Sequence, residues 1–308
     1  MQRTTLLAII TLIECPIAIL CSFYSFFIFT GMLFASLRSK STKFSPSMQI
    51  YAILQVILTL FTIVYLLYLS VQWRLDHSVY NPYWLYYTGG LQNSFLIITS
   101  LAVCILGIDR CLLVKFPTKK LTTIPLIMFT LMTIVLSAIH IALRMVPAYP
   151  KNMIDKGSCG NFGCLATHSQ NGIYAILRFF TGGINFVVGI VLALMFKQMT
   201  LVNNCTAKSS KTALLTIVIT IVFDLLPHLL MVIIYRVFDV NLGDYTGPYS
   251  TVIGAVESAV CALFYRNSFK FDRSCFSGLT ESQHTTTSVP AIKTVTRNRC
   301  RTIACEIR

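Results

Sequence analysis

The side chains able to do chemistry in this chain are ionic or polar groups set inside apolar runs. Asp109 and Arg110 directly follow the apolar stretch 101–108. An acid and an arginine side by side at a membrane boundary can pair at rest, and the arginine can pass to another partner when helices move. The plainer alternative is an interfacial pair whose arginine meets lipid phosphates. Arg144 and Arg178 interrupt two further apolar stretches. They can receive a carboxylate or another anionic group through charge-assisted hydrogen bonds, or they can snorkel to headgroups. His140 lies four residues before Arg144 and shares its helical face. His228 is either a second polar contact or a packing histidine.

Asp224 and Glu257 fall near the middle of two more apolar stretches. Left charged and alone there they are too costly. They must be protonated, hydrogen-bonded to each other, cation-bound or matched to an arginine. Their expected role is structural and switch polarity rather than direct ligand contact. Glu14, beside Pro16, faces the same question.

Catalysis is not expected. The chain has no phosphate-cradling glycine loop, no zinc-ligand run, and no serine or cysteine nucleophile with a recognisable base. No cofactor is implied, and the absence of lysine from 247–265 excludes a retinal pigment.

The elements that must position these groups follow from composition. Of 308 residues, 55% are apolar and 12% charged, with mean hydropathy +0.71. Soluble domains carry about 25% charged residues, so one soluble globule is excluded. Spanning about 30 Å of hydrocarbon takes about 20 helical residues, because only a closed helix satisfies its own backbone there. Seven stretches qualify: 6–37, 47–72, 85–108, 121–146, 172–196, 212–235 and 247–265. The reading is an all-helical, seven-span bundle over 1–265 with a tail over 266–308. Any small ligand must enter the bundle, since only a few residues precede the first span.

Basic residues near span ends are retained in the cytosol. The segments after spans one, three, five and seven hold 18 Lys and Arg, and the opposite side holds five. The N-terminus is therefore expected outside and the C-terminus inside. A cleaved signal peptide at the N-terminus would leave six spans and contradict this count. Asn204-Cys205-Thr206 then falls on a cytosolic loop and should carry no glycan. The net charge of +14 belongs to these loops, and no basic face suited to nucleic acid is visible. The tail opens with Ser268-Phe269-Lys270-Phe271, suited to a short interfacial helix, and ends in a Ser/Thr/Arg-rich stretch with little to bury.

Three landmarks carry a resemblance. Asp109-Arg110-Cys111, with Pro117 seven positions after the arginine, is similar to the Asp-Arg-Tyr segment of rhodopsin-like G-protein-coupled receptors. Pro227 in span six removes a ladder bond and creates a kink about which half a helix can swing. Tyr265, followed by Phe271, resembles the end of the Asn-Pro-x-x-Tyr segment, whose asparagine and proline are missing here. More narrowly, the segment 157–164 (Gly-Ser-Cys-Gly-Asn-Phe-Gly-Cys), Phe223-Asp224-Leu225-Leu226-Pro227, and Gly247-Pro248-Tyr249 with Glu257 beyond resemble the nematode serpentine chemoreceptors of class BC.

That resemblance implies a plasma-membrane receptor of sensory neurons, in the cilium. It would detect a small environmental or pheromone-like molecule and signal through heterotrimeric G proteins, with arrestin and a partner receptor as further partners beside membrane lipid. It makes Asp109, Arg110, Pro227 and Tyr265 the coupling and switch residues. Gln92 and Asn93, about five turns outward from Arg110, stand where an amine-selective receptor would place an acid, so a cationic amine is disfavoured. With His140, Arg144, Arg178 and His228 they are the ligand-pocket candidates. A small-solute transporter or ligand-gated channel remains the alternative, supported by Arg178, Asp224 and Glu257, and an accessory membrane protein is a third.

Cys159 and Cys164 are the two cysteines in the long outer loop, where oxidation permits a local bridge. The alternative is a metal site that adds His168. Cys275 is a palmitoylation candidate. Thr285-Thr286-Thr287-Ser288 can be phosphorylated or remain a solvated stretch.

Overall fold

The computed structural model describes residues 2–38, 44–72, 80–116, 123–150, 161–163, 165, 172–199, 204–238 and 248–281. Among them are seven long helices and no strand. They are α1 (Gln2–Arg38), α2 (Pro46–Val71), α3 (Pro82–Lys115), α4 (Thr123–Ala148), α5 (Gly172–Met199), α6 (204–238) and α7 (Tyr249–Glu281). Two starts are written in local chemistry. Asn81 accepts from the backbone N–H groups of Tyr83 (2.9 Å) and Trp84 (3.4 Å), with Pro82 supplying the preset first helical residue. Ser45 precedes Pro46 in the same way at α2.

Six helices, α1 to α6, are long and apolar enough to cross a membrane. The protein is a multi-pass membrane protein. α3 is the central element, with 67% of its most apolar window buried, while α4 is peripheral at 11%. The outward faces carry Leu131, Ile134, Val187 and Leu194, the apolar surface that lipid requires. α7 is more polar than the other six, and its polar groups are matched inside the bundle. Thr251 donates to Gln92 Oε1 (3.3 Å) and Ser258 donates to Gln55 Oε1 (2.9 Å). Glu257 accepts from Thr220 (2.7 Å), and Tyr265 accepts from Thr216 (3.2 Å). Such a helix is stable in hydrocarbon because its neighbours replace water as partners.

Two apolar clusters close the ends of the bundle. One gathers Tyr65, Leu66, Leu69, Leu85, Phe162 and Leu165; the other gathers Phe29, Tyr51, Leu106, Leu192, Ile217 and Tyr265. The polar side chains discussed below lie between them.

The structure revises two expectations and adds two features. α6 begins at Asn204, so Asn204-Cys205-Thr206 lies in its first turn and not on a loop. α7 continues as one helix past Tyr265 to Glu281, over the residues where a short interfacial helix was expected to follow the last span. The proline of α6 acts through a widened turn. Residues Ile221–Leu225 are π-helical, and the N–H of Leu226 reaches back five residues to Ile221 O. Pro227 has no N–H, and its ring crowds the carbonyl four residues earlier. One extra residue in the preceding turn relieves both defects. The same device, not foreseen, precedes Pro147: Ile141–Met145 is π-helical, and Val146 N–H reaches Ile141 O.

Candidate functional site

Each π-turn carries one ion three residues before its proline, Arg144 in α4 and Asp224 in α6. Both point into the bundle, at 5% and 2% exposure. The widened turn holds one residue more than an ordinary turn, which changes the facing of whatever the turn carries.

Around these two ions runs a polar ring that links α3 to α7. His140 of α4 meets Ser94 of α3 at 3.2 Å through Nδ1. Arg144 lies with its guanidinium carbon 3.9 Å from the Tyr174 ring centre of α5 and 5.2 Å from that of Phe162. Arg178, one turn along α5, lies 5.6 Å from the same Tyr174 ring and sends Nη2 to Asp224 Oδ1 of α6 at 2.8 Å. His228 stands one turn after Asp224, its Nδ1 2.7 Å from the Asp224 backbone oxygen, and its ring meets Tyr174 edge-on and Tyr249 of α7. Thr251 closes the ring by donating to Gln92 Oε1, beside which Asn93 donates to Gly89 O (2.9 Å) and to Gln92 Oε1 (3.1 Å).

The hydrogen-bond logic assigns tautomers. Ser94 already donates its one proton to Gly90 O (2.9 Å), so His140 Nδ1 is the donor to Ser94. His228 Nδ1 likewise donates to a carbonyl. In both neutral rings Nε2 is then an acceptor, and neither has a hydrogen-bond partner. Gln92 Nε2, Arg144 Nη1 and Arg178 Nε are donors in the same condition, and the Arg178–Asp224 contact is close without being aligned as a hydrogen bond. The ring is buried, and these atoms of it have no hydrogen-bond partner, where buried polar groups ordinarily have one.

Below the ring, Asp224, Glu257, Arg178, Ser100, Ser258 and Gln55 line a cavity of about 10 Å³, room for about one water. Asn185 of α5 donates to Ser100 O (2.9 Å) and Oγ (3.2 Å) of α3 beside it. Above the ring, the backbone N–H of Phe162 donates to Tyr65 Oη (3.0 Å), and Phe162 is fully buried. It packs against Gly89 so closely that a Cβ there would lie 2.5 Å from the Phe162 Cβ and 2.9 Å from the Tyr65 ring.

At the other end, Asp109 is buried, and Arg110 Nη2 donates to Ser45 Oγ at 2.9 Å. Among the described residues Asp109 and Arg110 form no ion pair, although side by side they can pair. The hydroxyl at the start of α2 holds the arginine instead. Tyr265 is buried between Tyr51 and Phe29, with ring centres 5.7 and 6.0 Å away.

The structure therefore brings Gln92, Asn93, His140, Arg144, Arg178, His228 and Asp224 into one layer and gives Glu257 to the cavity beneath. Snorkelling to headgroups does not describe Arg144 or Arg178, which are 5% and 3% exposed and face aromatic and acidic partners inside the bundle. Sequence reasoning missed Tyr174, Tyr249, Thr251, Gln55 and Ser258. A signal for Tyr174 existed in its spacing, four residues before Arg178 on one helical face. Cys159, Cys164 and His168 lie outside the described residues, as does the side chain of Cys275.

The family model for the serpentine type 7TM GPCR chemoreceptor Srbc matches residues 7–272. The chain belongs to the Srbc family. No curated protein matches it. Membership supplies the seventh crossing that hydropathy alone leaves to α7, and it makes this a chemoreceptor of the serpentine kind.

Proposed function

We propose that this Srbc protein is a G-protein-coupled chemosensory receptor. It sits in the plasma membrane with the Tyr83 end of α3 outside and the Arg110 end in the cytosol, and it detects a small molecule in the polar ring. The observation that carries this reading is the ring itself: five helices contribute buried polar groups to one layer, and several of their hydrogen-bonding atoms are unpaired. A ligand that satisfies them better in one helix arrangement than in another shifts the population toward that arrangement. The π-turn and Pro227 give α6 a place to bend, and Thr216–Tyr265 and Ser45–Arg110 are single contacts at the far end that such a bend can break. Arg110 freed from Ser45 is then available to a G protein.

Small metabolites applied to cells expressing the full chain with a promiscuous G protein should include activators, and Arg110→Ala should remove the response while leaving surface expression intact. Unchanged signalling by Arg110→Ala would exclude this coupling route. The carrier or channel reading draws on Arg178, Asp224 and Glu257, but these charges are already engaged, Arg178 with Asp224 and Glu257 with Thr220. Ligand-evoked current or uptake in cells lacking functional G proteins would favour it.

A further inference from the structure

Among the buried ions of the ring, Arg144 stands apart. Arg178 has Asp224 at 2.8 Å, and Glu257 has the Thr220 hydroxyl. No carboxylate pairs with Arg144 among the described residues. Its guanidinium face is covered by Tyr174 at 3.9 Å and by Phe162 at 5.2 Å, and Nη1 is buried without a hydrogen-bond partner. Stacking on two rings offsets part of the cost of burying the charge. It leaves Nη1, one of the donors by which arginine grips an anion, without a partner. A short distance across the same Tyr174 ring, Arg178 also keeps Nε unpaired. Both open edges belong to guanidinium groups gathered on one aromatic ring, and Arg144, with no acid in contact, has an open edge that fits a carboxylate.

We infer that the ligand of this site is a monocarboxylate, held by Arg144 over the Tyr174 ring and shared with Arg178. The inference rests on the receptor reading and specifies its ligand class. The carboxylate oxygens accept from Arg144 Nη1 and from Arg178 Nε, and no proton or bond changes hands. An anion beside Arg178 competes with Asp224 for it. Asp224 lies in the π-turn ahead of Pro227, so loosening that pair acts on α6 where it is already widened. Binding and the bending of α6 thereby share one residue.

The test uses the purified full chain in lipid discs, with unbranched acids from butanoate to decanoate, their methyl esters, the matching primary amines, and oleate added to the disc lipid. Thermal unfolding reports binding, and nucleotide exchange on an added G protein reports output separately. Acids should raise the Tm and esters and amines should not. Arg144→Gln should weaken acid binding about ten- to hundred-fold, the loss of a charge-assisted pair, with Arg144→Lys intermediate because it keeps the charge without the flat fork. Stabilisation by oleate alone assigns the carboxylate to a membrane fatty acid; stabilisation by the short acids assigns it to a soluble compound. Esters as effective as acids, no acid that binds, or an Arg144→Gln protein that binds acids like the parent would each overturn the inference. The ester comparison needs no variant to fold. Acid binding without nucleotide exchange would sink the receptor reading and leave the ligand class standing, whereas exchange driven by neutral compounds would do the reverse.

Discussion

Arg178 of α5 and Asp224 of α6 lie 2.8 Å apart with both side chains at most 4% exposed, the one close ion pair of arginine with acid among the described residues. Removing one member leaves the other charged and alone in a medium that cannot solvate it. Arg178→Gln or Asp224→Asn is expected to lower stability by about 3–5 kcal/mol. The double variant should lose less than the two singles together, a coupling of about 0.5–3 kcal/mol. Unfolding of the four proteins in one detergent measures the cycle, and strict additivity would show that the two ions do not support each other.

Ser45 holds Arg110 by one hydrogen bond. Ser45→Ala should release the arginine and raise ligand-independent nucleotide exchange on a G protein, while Arg110→Ala should abolish exchange in either background. An unchanged basal rate in Ser45→Ala would remove this contact from the resting state.

Thr220 gives Glu257 its hydrogen bond across α6 and α7 at 2.7 Å. Thr220→Val keeps the shape and deletes the donor, so the expected cost is about 1–3 kcal/mol for a carboxyl left short of a partner. Glu257→Gln in the Thr220→Val background should recover part of it, read as a rise in Tm over the single variant.

Gly89 faces the Phe162 plug with no space for a methyl group. Gly89→Ala must push against the Phe162 Cβ and the Tyr65 ring, and overpacking of this kind costs about 1–3 kcal/mol. Phe162→Gly alone opens a cavity, but because it removes the clashing Cβ it should, combined with Gly89→Ala, be tolerated better than additivity allows. Thermal unfolding of the three variants tests the contact.

Much of this fold was legible because hydrocarbon imposes a length and an apolar content that a sequence displays directly. The six apolar spans appear near their expected positions for that reason. Arg144, Arg178, Asp224 and Glu257 could be singled out since an ion in an apolar run has few inexpensive explanations. Their partners were not legible. Which of two acids takes Arg178 depends on how α5 and α6 are rotated, and that rotation is set by a π-turn whose trace in the sequence is only a proline two residues on. Ser45 was passed over because a serine before a proline reads as a helix start, and nothing nearby in sequence reveals that Arg110, 65 residues away, comes to rest on it.

The widened turns of α4 and α6 give the bundle an unusual form of tuning. Deleting one codon within 141–145 or 221–225 would not break the chain or shorten a span appreciably. It would return that helix to ordinary pitch and change the facing of Arg144 or Asp224. Where these two ions face is thus set by how many residues precede each proline as well as by which residues they are.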